Sequence, residues 1–172
     1  LTDFLAALDD GTAIKNATLY GQEALGDGKA TDVYELTLGN FFVTGVHEDN
    51  NGGYTVTLTP ETFGISTRTV DSKGLVGNWS SYQYDVATGK GSASMPQAAT
   101  GMATSTQAAP VVHYYVSFDG ITGDTTAKDH KGAFDLASFA LDAGNTVSIE
   151  KGAGAGKADF SALQIELQGG DD

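Results

Sequence analysis

Apolar and polar residues alternate along much of the chain with a period of two. In residues 54–58 three apolar side chains alternate with two threonines, and in residues 160–167 Leu163, Ile165 and Leu167 share one face. This period is typical of β-strands that bury one face. The segments with a strand pattern are 13–20, 33–38, 41–46, 54–58, a segment that opens at Phe63, 79–86, 111–118, 134–141, 146–150 and 160–167.

Residues 1–9 have a helical pattern instead. Thr2 is expected to cap this helix and Gly11 to end it. About nine strands and one helix predict a mainly β fold, an antiparallel β-barrel or two packed sheets with one short α-helix outside. The apolar residues of the helix have the i, i+3, i+4, i+7 spacing of a single face: Leu1, Phe4, Leu5 and Leu8.

Residues 91–110 interrupt the strand pattern. They contain no charged residue, and Ala, Ser, Thr, Gly and Pro fill 16 of the 20 positions. Such a segment buries too little apolar surface to form a core of its own, so we predict an extended linker within a single domain of residues 1–172. We further expect neighbouring copies of the chain to order this linker by contact.

The charge of the chain narrows the classes of partner. Nine Lys and Arg residues stand against 22 Asp and Glu residues, a net charge of −13, which disfavours binding to nucleic acid and to anionic membranes. There is no Cys, so disulfides and thiolate sites are excluded, and no apolar run is long enough to insert in a membrane. We expect a secreted, extracellular or cell-surface protein. Because the chain starts at Leu1, we also expect a processed product.

A resemblance to a known family emerges from residues 113–141, HYYVSFDGITGDTTAKDHKGAFDLASFAL. With the Gly-rich, Lys-containing loop that follows, this stretch resembles the first half of the Hcp family (haemolysin-coregulated protein), the tube protein of type VI secretion systems. The matching motif residues are Ile121, Gly123, Asp124, Thr125, Lys128, Asp129, His130, Leu136 and Phe139.

Residues 1–90 resemble the second half of the same family. They carry its helix, its strand pair (VYELTLGNFFVTGV, 33–46) and the D-x-x-G turn at 71–74. The family order would be 113–167 followed by 1–90, so the chain resembles a circular permutant in which 91–110 joins the usual termini. Either a permuted domain or one repeat of a longer array fits, with residues 160–167 expected to end beside helix 1–9 and Asp172 near Leu1.

The resemblance implies a structural protein rather than an enzyme. Its subunits would assemble into hexameric rings and stacked tubes, or into an extracellular filament. The partners would be other copies of the chain and components of a secretion machine. Two alternatives stay open: a repeat module of a large exported surface protein or adhesin, and, less favoured, a sugar-binding β-domain.

The candidate chemical groups do not form a recognisable site. His47, His113 and His130 lack metal-ligand spacing, and GAGAGK at 152–157 is followed by Ala158, so it is not a phosphate-binding loop. We therefore predict no catalytic, cofactor-binding or metal site. His130 is interpreted as a hydrogen-bonding anchor of its loop, and replacing His130 or Lys157 by alanine is expected to change assembly or stability.

Two further groups have a structural and a functional interpretation. The acidic turns Asp9–Gly11, Gly26–Gly28 and Asp49–Gly53 are favoured as ordinary turns, with weak Ca²⁺ binding as the alternative; the EF-hand pattern fails because Pro60 is the twelfth residue from Asp49. The aromatic residues of 79–86 are favoured as core and rim residues, with a sugar-stacking platform as the alternative. They are Trp79, Tyr82 and Tyr84.

Overall fold

A computed structural model describes residues 1–25, 29–94, 112–148, 154–160 and 162–168. The fold is mainly β, with one short helix among the described residues, as predicted. In chain order the elements are α1 (Thr2–Asp10), β1 (Ile14–Leu25), β2 (Lys29–Glu48), β3 (Gly53–Thr67), β4 (Ser80–Asp85), β5 (Lys90–Ser94), β6 (Val112–Phe118), β7 (Phe134–Ala140), β8 (Ala143–Ser148), β9 (Gly154–Phe160) and β10 (Leu163–Gln168).

Six of the strands close into an antiparallel β-barrel. Their order around the ring is β10-β7-β6-β1-β2-β3, and pairing of β10 with β3 completes it. The strands β4 and β5 continue the sheet outside the ring, and β8 and β9 form a separate antiparallel pair. Of the two architectures expected from the sequence, the barrel is therefore the one that forms.

The strands β2 and β3 are longer than the pattern predicted. The segments 33–38 and 41–46 belong to one strand, and so do 54–58 and Phe63–Ile65. In β2 the buried residues change from Leu36 and Leu38 to Phe41 and Val43. Asn40, with φ 47°, lies at this change, and the buried face of the strand switches there. The ladder with β3 skips Asn40 and continues in the same register from Phe41. Because the alternation of the sequence breaks at this point, the pattern predicted two separate strands.

The helix α1 contributes one fully buried residue, Phe4, to the core. Its ring lies 5.0 Å from that of Phe118 and 5.7 Å from that of Phe134. The expected four-residue apolar face is wrong, because Leu5 and Leu8 are 44% and 37% exposed.

The predicted end of the helix is confirmed, but its predicted N-cap residue is wrong. Thr2 is not the cap: Leu1 is the N-cap residue, and its carbonyl accepts the N–H of Leu5 at 3.1 Å. The end at Gly11, with φ 60°, is confirmed. A side-chain cap is dispensable here because packing of Phe4 holds the helix in place.

Two predicted loops contain strand residues. Residues 91–94 of the expected linker lie in β5, and residues 154–156 of the Gly-rich loop lie in β9. These segments consist mainly of small residues, whose sequence shows no alternation of buried and exposed faces. Even so, β5 pairs with β4. A Cβ at Gly91 would collide with the hydroxyl of Tyr82, so the small residue fits the close approach there. The rest of the linker lies outside the described residues, as do Gly26–Gly28 and Asp172.

The end of β10 and the start of α1 meet at Tyr54. Leu167 pairs with Tyr54 in the β10–β3 ladder, and the N-terminal amine of Leu1 donates to the Tyr54 hydroxyl at 3.4 Å. The end of residues 160–167 thus lies beside the start of helix 1–9, as expected, but the predicted strand begins later, at Leu163, because Phe160 ends β9. The permuted order of the Hcp family stays a prediction.

Candidate functional site

Among the described residues, the outer edge of β5 has no neighbouring strand. The strand pairs with β4 from Asp85–Lys90 to Ser81–Ser94, and no other described strand pairs with it. All five of its residues are exposed. A strand edge in water presents unpaired N–H and C=O groups, which form a template for pairing with another chain.

A short hairpin, residues 69–77, projects between β3 and β4. Val70 and Val76 form a bridge, and the N–H of Gly77 donates to the carbonyl of Thr69 at 2.8 Å. Leu75 lies near its tip and is 71% exposed. We call this segment the 69–77 hairpin; it presents a large apolar side chain to solvent.

Hydrogen bonds of Asp71 hold the tip of the 69–77 hairpin in shape. Its carboxylate Oδ1 accepts the N–H groups of Lys73 and Leu75, both at 2.8 Å, and its carbonyl accepts the N–H of Gly74 at 3.0 Å. Gly74 has φ 80°, which only glycine adopts without strain. The predicted D-x-x-G turn at 71–74 is thus confirmed, and it orients Leu75.

Arg68 holds the base of the hairpin. Its Nε donates to the carbonyl of Asp32 at 2.6 Å, and its Nη2 donates to Thr31 Oγ1 at 3.1 Å. The guanidinium also lies 4.3 Å from the ring centre of Trp79, a cation–π contact. Trp79 therefore supports the hairpin.

The solvent side of α1 is both apolar and acidic. Leu5 and Leu8 are exposed there, as are the carboxyl-bearing residues Asp3, Asp9 and Asp10. Residues 1–10 contain no Lys or Arg. We call the surface formed by Leu5, Leu8 and Asp9 the α1 outer face.

His130 anchors its loop as the sequence predicted. Its Nε2 lies 3.0 Å from Asp32 Oδ1, and the imidazole side chain is 7% exposed. The ring stacks between those of Tyr20, at 4.5 Å, and Tyr115, at 5.2 Å. Asp32 thus links the His130 loop to the base of the 69–77 hairpin. Its carboxylate contacts His130, and its carbonyl accepts a hydrogen bond from Arg68.

The other candidate chemical groups are dispersed or structural. His47 and His113 lie exposed on β2 and β6, and no three His, Asp or Glu residues cluster as metal ligands in the described part of the chain.

The carboxylate of Asp49 accepts the N–H groups of Asn51 and Gly53, at 2.8 and 3.2 Å. This is an ordinary turn, the interpretation favoured from the sequence. Weak Ca²⁺ binding stays a prediction.

The aromatic residues of β4 belong to the core and its rim. Tyr84 packs 4.3 Å from Phe160 and 5.6 Å from Phe63, measured between ring centres. Tyr82 stacks on Tyr84 at 6.5 Å. The rings are therefore used within the fold, which supports the favoured interpretation over a sugar-stacking platform.

A polar groove of about 460 Å³ crosses the barrel near β5. Gly39 and Gly64 form part of its floor, and Asp85 and Lys90 face each other across the β4–β5 ladder. The groove offers hydroxyl and amide groups to a neighbouring polar surface. Other lining residues are Asn16, Thr37, Thr62, Gln83 and Ser92.

Tyr34 makes the stability of the fold sensitive to alkaline pH. Burial, and then the neighbouring Tyr114, raise its pKa above the ordinary value of 10.0. The unfolded chain then loses this proton first as the pH rises, so the folded state becomes less stable above about pH 10. Tyr34→Phe should make the decline in unfolding free energy above that pH shallower, as urea titrations at several pH values would measure. An equally steep decline would contradict this assignment.

The chain is not matched by any protein-family model, nor by any curated protein. No helix in the described residues is long and apolar enough to cross a bilayer. Its function must therefore be inferred from the surfaces described above: the β5 edge, the 69–77 hairpin and the α1 outer face.

Proposed function

We propose that this domain is a structural subunit that assembles with copies of itself into rings and stacked tubes, or into an extracellular filament. The observation that carries the proposal is the outer edge of β5, with which no other described strand pairs. A closed barrel removes the edges of its sheet. Here two strands extend beyond the closed ring and expose a new edge.

The remaining features support a structural role over catalysis. His130, the one histidine with a close carboxylate partner in the described residues, is enclosed by two tyrosine rings and serves its loop. None of the exposed large apolar side chains in the described residues is among the contacts of His130. The Hcp-like motifs point to the same class of protein, with secretion-machine components as further partners and the cell exterior as its place of action.

The net charge of −13 makes assembly dependent on salt. Copies of the chain repel one another at low ionic strength, and screening at physiological salt shortens this repulsion to about 8 Å. Assembly should therefore strengthen from low to moderate salt.

Two proline variants of β5 test whether its outer edge carries assembly. Successive N–H groups of a strand point to opposite edges, so one of Ser92→Pro and Ala93→Pro removes a bond to β4 and the other removes an outward donor. The variant that keeps the melting temperature of the isolated monomer is the one with the outward change. It should weaken association on the order of tenfold or more in sedimentation velocity.

The other proline variant is the matched control for stability. It should lower the melting temperature, because it breaks the β4–β5 ladder. Electron microscopy of the unmodified chain should show rings, tubes or filaments. Monomers at all concentrations would contradict the proposed function, and normal assembly of both proline variants would contradict the role of the β5 edge.

A further inference from the structure

Three of the four exposed large apolar side chains in the described residues lie at two places. Four large apolar side chains are exposed among the described residues: Leu5, Leu8, Leu75 and Val86. Two of them belong to the α1 outer face and one to the 69–77 hairpin. Exposed leucines are ordinary when scattered, but Leu75 is held at the tip of a braced turn, which favours a role in contact.

The bracing of the hairpin indicates preorganisation for binding. Asp71 orients the tip through two backbone N–H groups, and Arg68 holds the base against Asp32 and Trp79. A loop that is ordered before association loses less conformational entropy when it binds. Leu75 therefore meets a partner in a fixed orientation.

We propose that Leu75 of one copy docks on the α1 outer face of a second copy, against Leu5 and Leu8. This inference rests on the proposed self-assembly and names one of its contacts. The two surfaces share apolar residues, and each has an exposed charged residue close in sequence to its leucine. Lys73 is two residues from Leu75 at the tip, where the Asp71 carboxylate is engaged by backbone N–H groups, and Asp9 follows Leu8 on the helix.

The composition of the chain favours a second copy as the partner. Only nine cationic residues stand against 22 acidic ones, and one of the nine is exposed next to the most exposed large apolar side chain described. The acidic, apolar surface that such a tip requires is present on the same chain. Because the two surfaces differ, the contact is head-to-tail, and it closes into a ring or continues as a filament.

Disulfide trapping tests this contact directly, since the chain has no Cys of its own. Leu75→Cys mixed with Leu8→Cys should form a disulfide-linked dimer under mild oxidation, at least ten times faster than Leu75→Cys mixed with Val86→Cys. Val86 is the matched control because it is also exposed, at 44%, and lies outside the proposed contact. Equal rates, or faster linkage to position 86, would overturn the inference.

Charge exchange provides a second measurement. Lys73→Glu and Asp9→Lys should each weaken association several-fold at physiological salt, where repulsion between whole chains is screened, and the double variant, which keeps the net charge of the unmodified chain, should recover most of the loss. Leu75→Asp should weaken it at least tenfold, whereas Ala137→Asp, on the exposed side of β7, should not. Assembly that survives Leu75→Asp would overturn this contact and leave self-assembly standing. A chain that is monomeric without any substitution would overturn the proposed function itself.

Discussion

Replacing Phe4 with alanine should lower the free energy of unfolding by about 3–5 kcal/mol. The ring is fully buried and packs against Tyr54, Phe118 and Phe134. Its loss leaves a cavity between α1 and the barrel, and α1 has no other fully buried side chain to hold it. Urea denaturation followed by circular dichroism would measure the change.

Leu5→Ala is the matched control on the same helix. Leu5 is 44% exposed, so its truncation should change the stability of the monomer by less than about 1 kcal/mol. Equal losses for the two variants, measured at a protein concentration that excludes assembly, would show that Phe4 does not anchor the helix.

Replacing Gly123 with alanine should cost about 1–3 kcal/mol or more. The backbone at this position pairs closely with residues 132–133: the Gly123 N–H donates to the carbonyl of Gly132 at 2.8 Å. A Cβ at Gly123 would collide with the carbonyl of Ala133 and would lie 2.8 Å from Cδ2 of Phe134. Because the first obstacle is backbone, a change of side-chain rotamer cannot relieve it.

Gly45→Ala is the control for the intrinsic effect of the substitution. There a Cβ would lie 3.3 Å from Thr57 Oγ1 and 3.4 Å from Thr57 Cβ, contacts that a small side-chain movement accommodates. The expected change is within about 1 kcal/mol, since alanine also restricts the unfolded chain. A similar result for Gly123→Ala would contradict the close approach of the two segments.

The Gly123 prediction bears on the resemblance to the Hcp family. Gly123 is a motif residue of that resemblance, and its role here is steric. His130, another motif residue, also has a structural role, because it joins its loop to Asp32. These two motif residues thus shape the loop between β6 and β7.

The surfaces proposed for assembly were not visible in the sequence. Leu75 reads as one apolar residue near a turn, and its exposure depends on the hairpin that Asp71 and Arg68 hold. Leu5 and Leu8 have the spacing of a buried face, so the pattern alone assigned them to the core. An apolar side chain can bind a partner only where no other part of the folded chain covers it.

Local sequence determined several elements of this protein. The alternation in 54–58 and 163–167 determines strands, and the helical spacing in 1–9 determines a helix that ends at Gly11. The Asp and Gly residues of 49–53 and 71–74 determine turns. In each case the cause lies within a few residues, as backbone freedom, a side-chain hydrogen bond or a periodic apolar face. The charge and the absence of Cys likewise follow from composition.

Only the tertiary structure decided how these elements combine. Closure of the barrel depends on β3 pairing with β10, more than 100 residues away, and local pattern does not encode that partner. The switch of the buried face at Asn40 and the pairing of the small residues of β5 depend on neighbours in the same way. The helix buries Phe4 against Tyr54, Phe118 and Phe134 and leaves Leu5 exposed, which the spacing of its apolar residues does not encode. All of these features depend on long-range packing, which exists only in the folded chain.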